Sequence, residues 1–198
     1  MNDRGYWKDR YKTVRDVRVV GHRSWSVADN ERHYAALQKQ FRVALDKDLP
    51  RVHRESVLEL GYGLGHYARV CRDGGFRSYF GVDFAAPPGP DLAPVRFEYR
   101  QQDVGVAFDL GRRFDLVTAI DVLYHVTDEA RFEVALDNIV RHASRFVYVT
   151  GLFRDVRPAP HVVHRPLARF SKLGVVIEVK PWRDTMLARF KVRPARTA

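Results

Sequence analysis

The segment VLELGYGLGHYARV, residues Val57–Val70, carries the strongest structural signal in the sequence. Together with the preceding serine it begins SVLEL, a short apolar run that predicts a buried strand. Gly61, Gly63 and Gly65 then occupy every second position. The HYARVCRDGG that follows predicts a helix stopped by a glycine pair. Glycines at such a junction let the backbone bend sharply and let a ligand approach the free N–H groups of the helix.

The spacing of these glycines narrows the class of ligand. ELGYGLG is G-x-G-x-G after an acid, Glu59, and it matches neither the dinucleotide fingerprint nor the phosphate loop. A phosphate, a carboxylate or the ribose of a nucleoside fits such a turn. The next predicted strand, SYFGVD, ends in Asp83 about 20 residues downstream, where folds of this type hold ribose hydroxyls. A carboxylate there accepts two charge-assisted hydrogen bonds from a diol, which favours a nucleoside.

The rest of the chain continues the alternation of strands and helices. VRFEYRQQDV, RFDLVTAID and RFVYVTG predict three more strands, and DEARFEVALDNIVRHA predicts the helix between the last two. AAPPGPDLAP carries four prolines, so we expect a loop in place of the second crossover helix. GVVIEVKPW and DTMLARFKV predict a terminal antiparallel hairpin. Upstream, GYWKDRY predicts a short helix, VGHRSWS a loop, and residues 27–49 an amphipathic helix ending at Pro50.

This order of elements predicts the fold class. Strands alternating with helices indicate a parallel sheet covered on both faces. We expect an α/β fold with a doubly wound, Rossmann-like, seven-stranded sheet, mostly parallel, with an antiparallel strand from the C-terminal hairpin. Length favours one domain, residues 1–198. Within it, residues 1–50 form an N-terminal helical lid and residues 51–198 the Rossmann-like core.

Composition limits the function classes. The chain is 45% hydrophobic, has no apolar run long enough to span a membrane, and begins without the apolar core of a signal peptide. Cys71 is the single cysteine, which excludes an intrachain disulfide and a multi-cysteine zinc site. A cytoplasmic protein is therefore expected. The formal net charge of +10 suits a nucleic-acid partner, but the arginines are scattered without a long basic run, which favours a charge spread over the surface.

From Val57 to Leu152 the chain resembles the class I S-adenosylmethionine-dependent methyltransferases. LELGYGLG is similar to their first motif, FGVDFA to the acidic end of the second strand, QQDV to the acid after the third, and FDLVTAIDVLYHV to the fourth strand with its active-site turn. The terminal hairpin is also typical of the family. YWKDRY, AIDVLYHVTDEARFEVAL and HVVHR resemble segments of a group of small bacterial methyltransferase-like proteins. Tyr62 departs from the small residues or cysteine common at its position.

The resemblance implies S-adenosyl-L-methionine as cofactor and S-adenosyl-L-homocysteine as product. Gly61, Gly63 and Gly65 would line the turn beside the methionyl and ribose parts, and Asp83 would bind the ribose hydroxyls. Glu59 would orient the loop, meet the methionine amino group, or pair with an arginine.

The adenine end of the cofactor has its own candidates. Asp103 would take the adenine amino group, with the Val104 N–H facing a ring nitrogen. Phe84 would stack on the adenine or belong to the core. At the other end, Tyr62 would pack over the methionine end of the cofactor or narrow the pocket.

Candidate catalytic residues follow the fourth strand. Asp121, Tyr124 and His125 lie where ligands meet the carboxyl ends of the strands in open α/β sheets. Asp121 is also assigned to cofactor binding. His125 would deprotonate a substrate hydroxyl or amine, because its pKa lies near working pH. The alternative is a structural role, in which His125 caps a helix or bonds to backbone.

Two further groups would cover the ligands. The lid over the cofactor would be formed by Trp7, Arg10 and Tyr11, and Arg10 would bind the methionine carboxylate. The alternative is that this amphipathic helix packs elsewhere on the protein. Candidates for substrate binding come from VGHRSWS and from the proline-rich link after the fifth strand, where an arginine could clamp a carboxylate or phosphate; they are Trp25, His161, His164 and Arg165. Two histidines three residues apart on a loop are weak evidence for a metal site, and we expect none.

The expected activity is methyl transfer to an oxygen or nitrogen nucleophile of a small molecule, because the chain is short and its aromatic lid suits an enclosed pocket. An RNA or protein methyltransferase is the first alternative, favoured by the charge alone. DVLYH stands where amino-methylating nucleic-acid enzymes carry an asparagine-proline-proline-tyrosine type motif. A non-catalytic cofactor-binding module and other chemistry with the same cofactor are further alternatives, since fold does not fix function.

Overall fold

The computed structural model describes residues 3–50, 53–85 and 97–193, with side chains from residue 5 onward. The helices are α1 (Asp3–Thr13), α2 (Val27–Asp48), α3 (His66–Asp73) and α4 (Glu129–His142). The strands are β1 (Ser56–Leu60), β2 (Ser78–Asp83), β3 (Phe97–Gln101), β4 (Phe114–Ala119), β5 (Ala143–Gly151), β6 (Val156–Ala159), β7 (Val162–His164), β8 (Val175–Trp182) and β9 (Thr185–Lys191). Short 3₁₀ helices cover Val17–Val19, Leu123–His125 and Leu167–Leu173.

Seven strands form one sheet in the order β3-β2-β1-β4-β5-β9-β8. The first five strands along the chain pair in parallel, and β9 pairs antiparallel with both β5 and β8. The predicted fold class and terminal hairpin are confirmed. The strand order reverses between β1 and β4, so a crevice opens there at the carboxyl ends of the strands.

Helices cover the sheet on both faces, as the continuous apolar strands require. On one face Leu58 and Val117 pack in a buried cluster with Phe132 of α4. On the other face Val57 and Leu116 belong to the cluster that includes the apolar sides of α2 and α3. Alternate residues of each strand therefore supply opposite cores, and the loops at the carboxyl end are left to form a site.

The segment after β5 differs from the expected irregular link. β6 and β7 form an antiparallel hairpin of their own, with Val156 paired to His164 and Ala159 to Val162. The β-branched valines favour this extended pairing, and Pro160 lies at the connection between the two short strands. The hairpin stands apart from the main sheet as a two-stranded sheet.

The N-terminal segment is ordered by polar contacts within itself. Arg10 is buried, and its guanidinium donates to the carbonyl oxygens of Arg18 and Gly21. Asn30 accepts a hydrogen bond from His22 N at 2.7 Å and donates back to the His22 carbonyl at 3.0 Å. The loop between α1 and α2 is thereby tied to both helices.

Some predictions fall where the chain is not described. Residues 86–94 of the expected proline-rich loop lie outside the described residues, as does most of the tail after Arg193. Within the described ranges, no helix combines the length and the apolar character that crossing a membrane demands.

Candidate active site

The turn after β1 needs glycine for two separate reasons. Gly61, Gly63 and Gly65 have φ angles of 72°, 54° and 68°, in the left-handed region that L side chains avoid. A Cβ on Gly61 would overlap the side chain of Val122, and one on Gly63 would stand 2.9 Å from Val20. The glycines therefore bring the turn against two neighbouring segments and keep its backbone accessible.

Asp83, at the end of β2, is bonded directly to this turn. One carboxylate oxygen accepts from Gly63 N at 3.0 Å and the other from Ala85 N at 3.0 Å. Burial raises the pKa of Asp83, and the backbone hydrogen bonds oppose that rise. Each oxygen has a second lone pair, so the fixed carboxylate can still accept from a ligand.

Glu59 is buried near the end of β1, two residues before Gly61. Its carboxyl accepts a 2.6 Å hydrogen bond from the hydroxyl of Tyr79, so its partner is a tyrosine and not an arginine. Burial raises the pKa of Glu59 to about 8, while the tyrosine hydrogen bond opposes the rise. Glu59 is therefore mostly protonated at neutral pH.

These strand ends form one wall of a cleft that encloses about 910 Å³, counting the part open to solvent. α1 and the loop after it also line the cleft, and Val20 of that loop packs against Gly63. Twelve of the sequence-predicted site residues line the cleft: Trp7, Tyr11, Glu59, Gly61, Tyr62, Gly63, Asp83, Phe84, Asp103, Val104, Asp121 and His125. Nine lining residues were not predicted: Val20, Tyr34, Leu64, His66, Tyr67, Ile120, Val122, Val126 and Arg131.

The other predicted residues lie outside the lining. Gly65 precedes α3, and Arg10 is engaged with the loop behind α1. Tyr124 borders a smaller cavity instead. Trp25, His161, His164 and Arg165 are likewise absent from the cleft wall.

At one end of the cleft Asp103 is held by Arg131, near the start of α4. Arg131 Nη2 donates to both carboxylate oxygens of Asp103, at 2.9 and 3.0 Å. Gly105 N donates to the same carboxylate at 2.8 Å, and a Cβ at Gly105 would stand 2.9 Å from Arg131 Nε. The orientation of the Asp103 carboxylate is therefore set before any ligand arrives.

The turn after β4 is held by β5. Asp121 has φ 57°, and its N–H donates to Thr150 Oγ1 at 2.6 Å. Thr150 Oγ1 in turn donates to the Asp121 carboxylate at 2.9 Å. Burial raises the pKa of Asp121, and hydrogen bonds from Thr150 and Tyr124 oppose the rise. Two strands thus fix a strained residue at the floor of the cleft.

His125 follows on the same turn and faces the lid. Its ring meets Trp7 edge-on with centroids 4.8 Å apart, and its Nδ1 lies 3.0 Å from the carbonyl oxygen of His161. A carbonyl only accepts, so Nδ1 carries the proton and Nε2 keeps a lone pair. Burial lowers the pKa of His125 to about 4, so the ring is neutral at pH 7.

His161 and His164, the predicted substrate-binding histidines on the β6–β7 hairpin, contact residues around the site and do not line the cleft. The His161 ring stacks on Tyr6 of α1 with centroids 3.9 Å apart. His164 Nδ1 accepts from Leu152 N at 3.2 Å, which ties β7 to the end of β5. Both histidines are thus joined to structural partners.

Arg165 differs most from its expected role as an anion clamp. Its guanidinium lies 3.9 Å from the centre of the Phe132 ring and pairs with Glu129 at 2.8 Å. It also donates to the carbonyl oxygen of Val126 at 2.9 Å. These contacts bury Arg165 against α4, so it braces the hairpin and faces no ligand cleft.

Metal ligation finds no support in this part of the molecule. Among the described residues, no group of three or more histidine, cysteine, aspartate or glutamate side chains is arranged to hold a metal ion.

The missed residues are those that tertiary packing brings to the cleft. His66 directly follows the glycine turn, and this position is the one signal that could have identified it. Tyr34 belongs to an amphipathic pattern that equally suits a core residue, and its ring stacks on His66 at 4.0 Å. Nothing in the local sequence places Arg131 opposite Asp103.

The comparisons with known proteins agree with this architecture. A family model described as a methyltransferase domain matches residues 29–158. Among curated proteins, none matches the chain.

Solved structures share the fold at low sequence identity. One is the N-methyltransferase NodS from Bradyrhizobium japonicum WM9 with S-adenosyl-L-homocysteine, 16% identical, TM-score 0.70, covering 98% of this chain and 100% of that chain. Another is magnesium protoporphyrin IX methyltransferase from Synechocystis PCC 6803 with bound S-adenosylmethionine, 15% identical, TM-score 0.65, covering 98% of each chain. The glycopeptide N-methyltransferase MtfA, complexed with the same cofactor, is 17% identical with TM-score 0.56, covering 79% of this chain and 94% of that chain.

The family match spans more than half of the sequence, and the strand order, glycine turn and acidic strand end lie where the resemblance expects them. The chain therefore belongs to the methyltransferase domain family and has the fold of the class I S-adenosylmethionine-dependent methyltransferases.

Proposed function

We propose that this protein transfers the methyl group of S-adenosylmethionine to a nitrogen or oxygen of a small-molecule acceptor. The observation that carries the proposal is His125, which lines the cleft with Nδ1 on a backbone carbonyl and with its ring against the lid residue Trp7. A neutral imidazole placed there supplies an unprotonated nitrogen beside the floor of the cleft.

The residues of the cleft fit the cofactor. The left-handed glycines let the turn lie against Val122 and Val20 in the cleft wall, and Asp83 offers two fixed acceptors to a ribose diol. Asp103, fixed by Arg131, is an acceptor for the adenine amino group, and Phe84 lines the same cleft. When bound, the cofactor supplies a sulfonium methyl group that is open to nucleophilic attack.

At the methionine end, Glu59 and Tyr62 line the cleft together with Gly61. Glu59 would accept a hydrogen bond from the methionine ammonium group, and that positive charge would oppose the rise in pKa that burial causes. Tyr62 is buried and narrows the cleft from the side of β2, since a Cβ on Gly81 would stand 2.7 Å from its ring.

The protein's part in the chemistry is alignment and proton removal. His125 Nε2 would take the proton from the acceptor O–H or N–H as that oxygen or nitrogen bonds to the methyl carbon and the carbon–sulfur bond breaks, and Nδ1–H would stay on the His161 carbonyl. Asp121, fixed by Thr150, shapes the floor on which the acceptor lies. Alignment of this kind is worth up to roughly 7–11 kcal/mol, and a general base typically adds about 10²–10⁴-fold. Because burial lowers the pKa of His125 to about 4, below the near-neutral value expected from the sequence, His125 is a weaker base and belongs to the low end of that range.

A small acceptor is favoured by the roof over this chemistry. Trp7 and Tyr11 of α1 line the cleft, and the ring of Tyr11 lies edge-on to Phe84 at 6.0 Å. An aromatic roof excludes water and limits the size of what can enter. The acceptors for which two of the structural neighbours are named, magnesium protoporphyrin IX and a glycopeptide, are also small compared with an RNA or a protein.

The test is methyl transfer into a fractionated extract. Protein and S-adenosylmethionine with a labelled methyl group are incubated with the low-mass, RNA and protein fractions separately. We expect label only in the low-mass fraction, incorporated about 10²-fold more slowly with His125→Gln, which can still donate to the His161 carbonyl but cannot act as the base. Label in the RNA or protein fraction would overturn the small-molecule assignment.

An RNA acceptor is the second candidate, because the chain carries a formal net charge of +10. Phosphate contacts would make binding fall steeply with salt. Tight RNA binding that survives moderate salt, together with transfer to the RNA fraction, would favour this candidate over the first.

A further inference from the structure

Arg183 lies at the tip of the hairpin formed by β8 and β9. Because β9 pairs antiparallel with β5, with Met186 opposite Gly151, this tip stands at the same sheet edge as the cleft. Arg183 has φ 55°, a left-handed conformation that a bulky residue adopts only where its surroundings hold it.

Two histidines from the N-terminal segment hold the guanidinium. Its Nη1 lies 2.7 Å from His33 Nε2, and its Nη2 bonds to His22 Nε2. The guanidinium also lies over the indole of Trp25, 4.7 Å from the ring centre, and Trp25 stacks on His22 at 4.2 Å. An imidazole nitrogen that accepts from a guanidinium has to be unprotonated, so neither histidine adds charge.

Arg183 differs from three of the buried arginines in how its charge is balanced. Arg54, Arg165 and Arg189 each pair with a carboxylate from another part of the fold. The ion-pair partner of Arg183 within the described residues is its neighbour Asp184, at 3.0 Å from Nε, whose side chain is 77% exposed. An exposed pair of this kind offsets little of the charge.

This group of residues adjoins the cleft. Tyr34 lines the cleft, follows His33 on α2, and its ring lies 5.5 Å from that of His33. The charge of Arg183 also acts on Asp121, an acid that lines the cleft. Burial raises the pKa of Asp121, and the positive charge of Arg183 is one of the effects that oppose the rise. The positive charge of Arg183 thus reaches the floor of the site at Asp121.

We propose that Arg183, with His22, His33 and Trp25, forms a subsite that binds an anionic group, a carboxylate or a phosphate, on the methyl acceptor. Two of the five guanidinium N–H donors bond to imidazole and Nε faces Asp184, which leaves two donors for the ligand. The side chain is 21% exposed, so an anion can reach it. This inference rests on the proposed function, since it names a charged group on the acceptor.

The test uses simple anions on the protein saturated with S-adenosylhomocysteine. Inorganic phosphate and acetate are titrated at constant ionic strength, and NMR follows the Arg183 Nε–H and the Trp25 indole N–H. We expect both signals to shift with a common dissociation constant, and Arg183→Met to weaken that binding by about tenfold or more. The stronger of the two anions identifies the group that the acceptor carries.

Arg77→Met is the matched control, because Arg77 is an exposed arginine at the start of β2, at the opposite sheet edge. We expect it to bind the anions as the native protein does. Absence of any shift in the native protein, or equal loss in both variants, would overturn the proposal, and the native titration decides this even where Arg183→Met fails to fold.

S-adenosylhomocysteine separates this proposal from the proposed function. The same anion titration is repeated without it: if the anion binds only in its absence, the subsite belongs to the cofactor's own carboxylate, and the proposal fails while the proposed function stands. If the protein does not bind S-adenosylhomocysteine at all, the proposed function fails, whatever the anions do.

Discussion

His125 Nδ1 lies 3.0 Å from the carbonyl oxygen of His161, and the same His161 stacks its ring on Tyr6 of the lid helix. The β6–β7 hairpin thus fixes the tautomer of His125 and supports α1 from beneath. Because His161 contacts both His125 and the lid helix α1, the orientation of the base depends on the position of the helix that covers the cleft.

His125→Gln should lower the rate of methyl transfer by about 10²-fold or more while leaving the affinity for S-adenosylhomocysteine within about twofold. Glutamine keeps a donor for the His161 carbonyl but offers no basic nitrogen. Single-turnover rates and calorimetric titration check the two parts. His53→Ala, an exposed histidine, is the control and should change neither.

The pH dependence provides a second check on His125. Its pKa is lowered to about 4, so the neutral form persists through neutral pH and is lost only as pH falls through about 4. The native rate should therefore show no His125-dependent decline near pH 6.5. A decline there that His125→Gln removes would contradict the neutral, buried base.

Asp83→Ala should weaken binding of S-adenosylhomocysteine by at least about tenfold and also lower stability. The carboxylate accepts from Gly63 N and Ala85 N, and removal of an acceptor leaves a buried N–H unsatisfied, at roughly 1–3 kcal/mol. Asp73→Ala, an exposed carboxylate, is the control. Calorimetry and denaturant titration separate the two effects, and unchanged affinity in a folded Asp83→Ala protein would refute the ribose assignment.

Gly61→Ala should disrupt the site more than Gly111→Ala, although both glycines have positive φ, 72° and 65°. A Cβ at Gly61 would overlap Val122, whereas one at Gly111 meets nothing within 4 Å. Gly111→Ala should cost only the backbone strain, about 1–2 kcal/mol. Adding Val122→Ala should restore part of the S-adenosylhomocysteine affinity lost in Gly61→Ala, as titration of the double variant would show.

Glu59→Gln should flatten part of the pH dependence of stability. The pKa of Glu59 is about 8 in the folded protein against the ordinary 4.5, so the folded state holds a proton that the unfolded state releases. The contribution of this bound proton to the free energy of unfolding is full below about pH 4.5 and is lost as the pH rises to about 8. Urea unfolding across this range should show a smaller loss for Glu59→Gln, and parallel curves for the two proteins would contradict this.

Much of the fold could be predicted because its signals are local. SVLEL and SYFGVD form β1 and β2 with the predicted bounds. Each is a short apolar run, closed by Gly61 in one case and by Asp83 in the other, and such a run fits a buried strand better than a helix. The Gly61–Gly65 turn was equally visible, because three left-handed positions in five residues leave little choice of residue.

The remaining features depend on distant pairings. Arg165 is placed by Glu129 and Phe132 of α4, and Arg183 by histidines about 150 residues earlier in the chain. Prolines in the segment after β5 suggested an irregular link, yet its valines pair as β6 and β7. Such contacts exist only once the sheet has brought its carboxyl ends together.

β9 completes the sheet from an inner position, between β5 and β8, although it is the last strand within the part of the chain that the structure describes. β5 therefore keeps an unpaired edge until synthesis has passed Lys191 and that segment has left the ribosome. During that interval the edge is a template for intermolecular pairing. A nascent chain stalled before β9 should consequently depend on chaperone binding at β5 to stay free of aggregation.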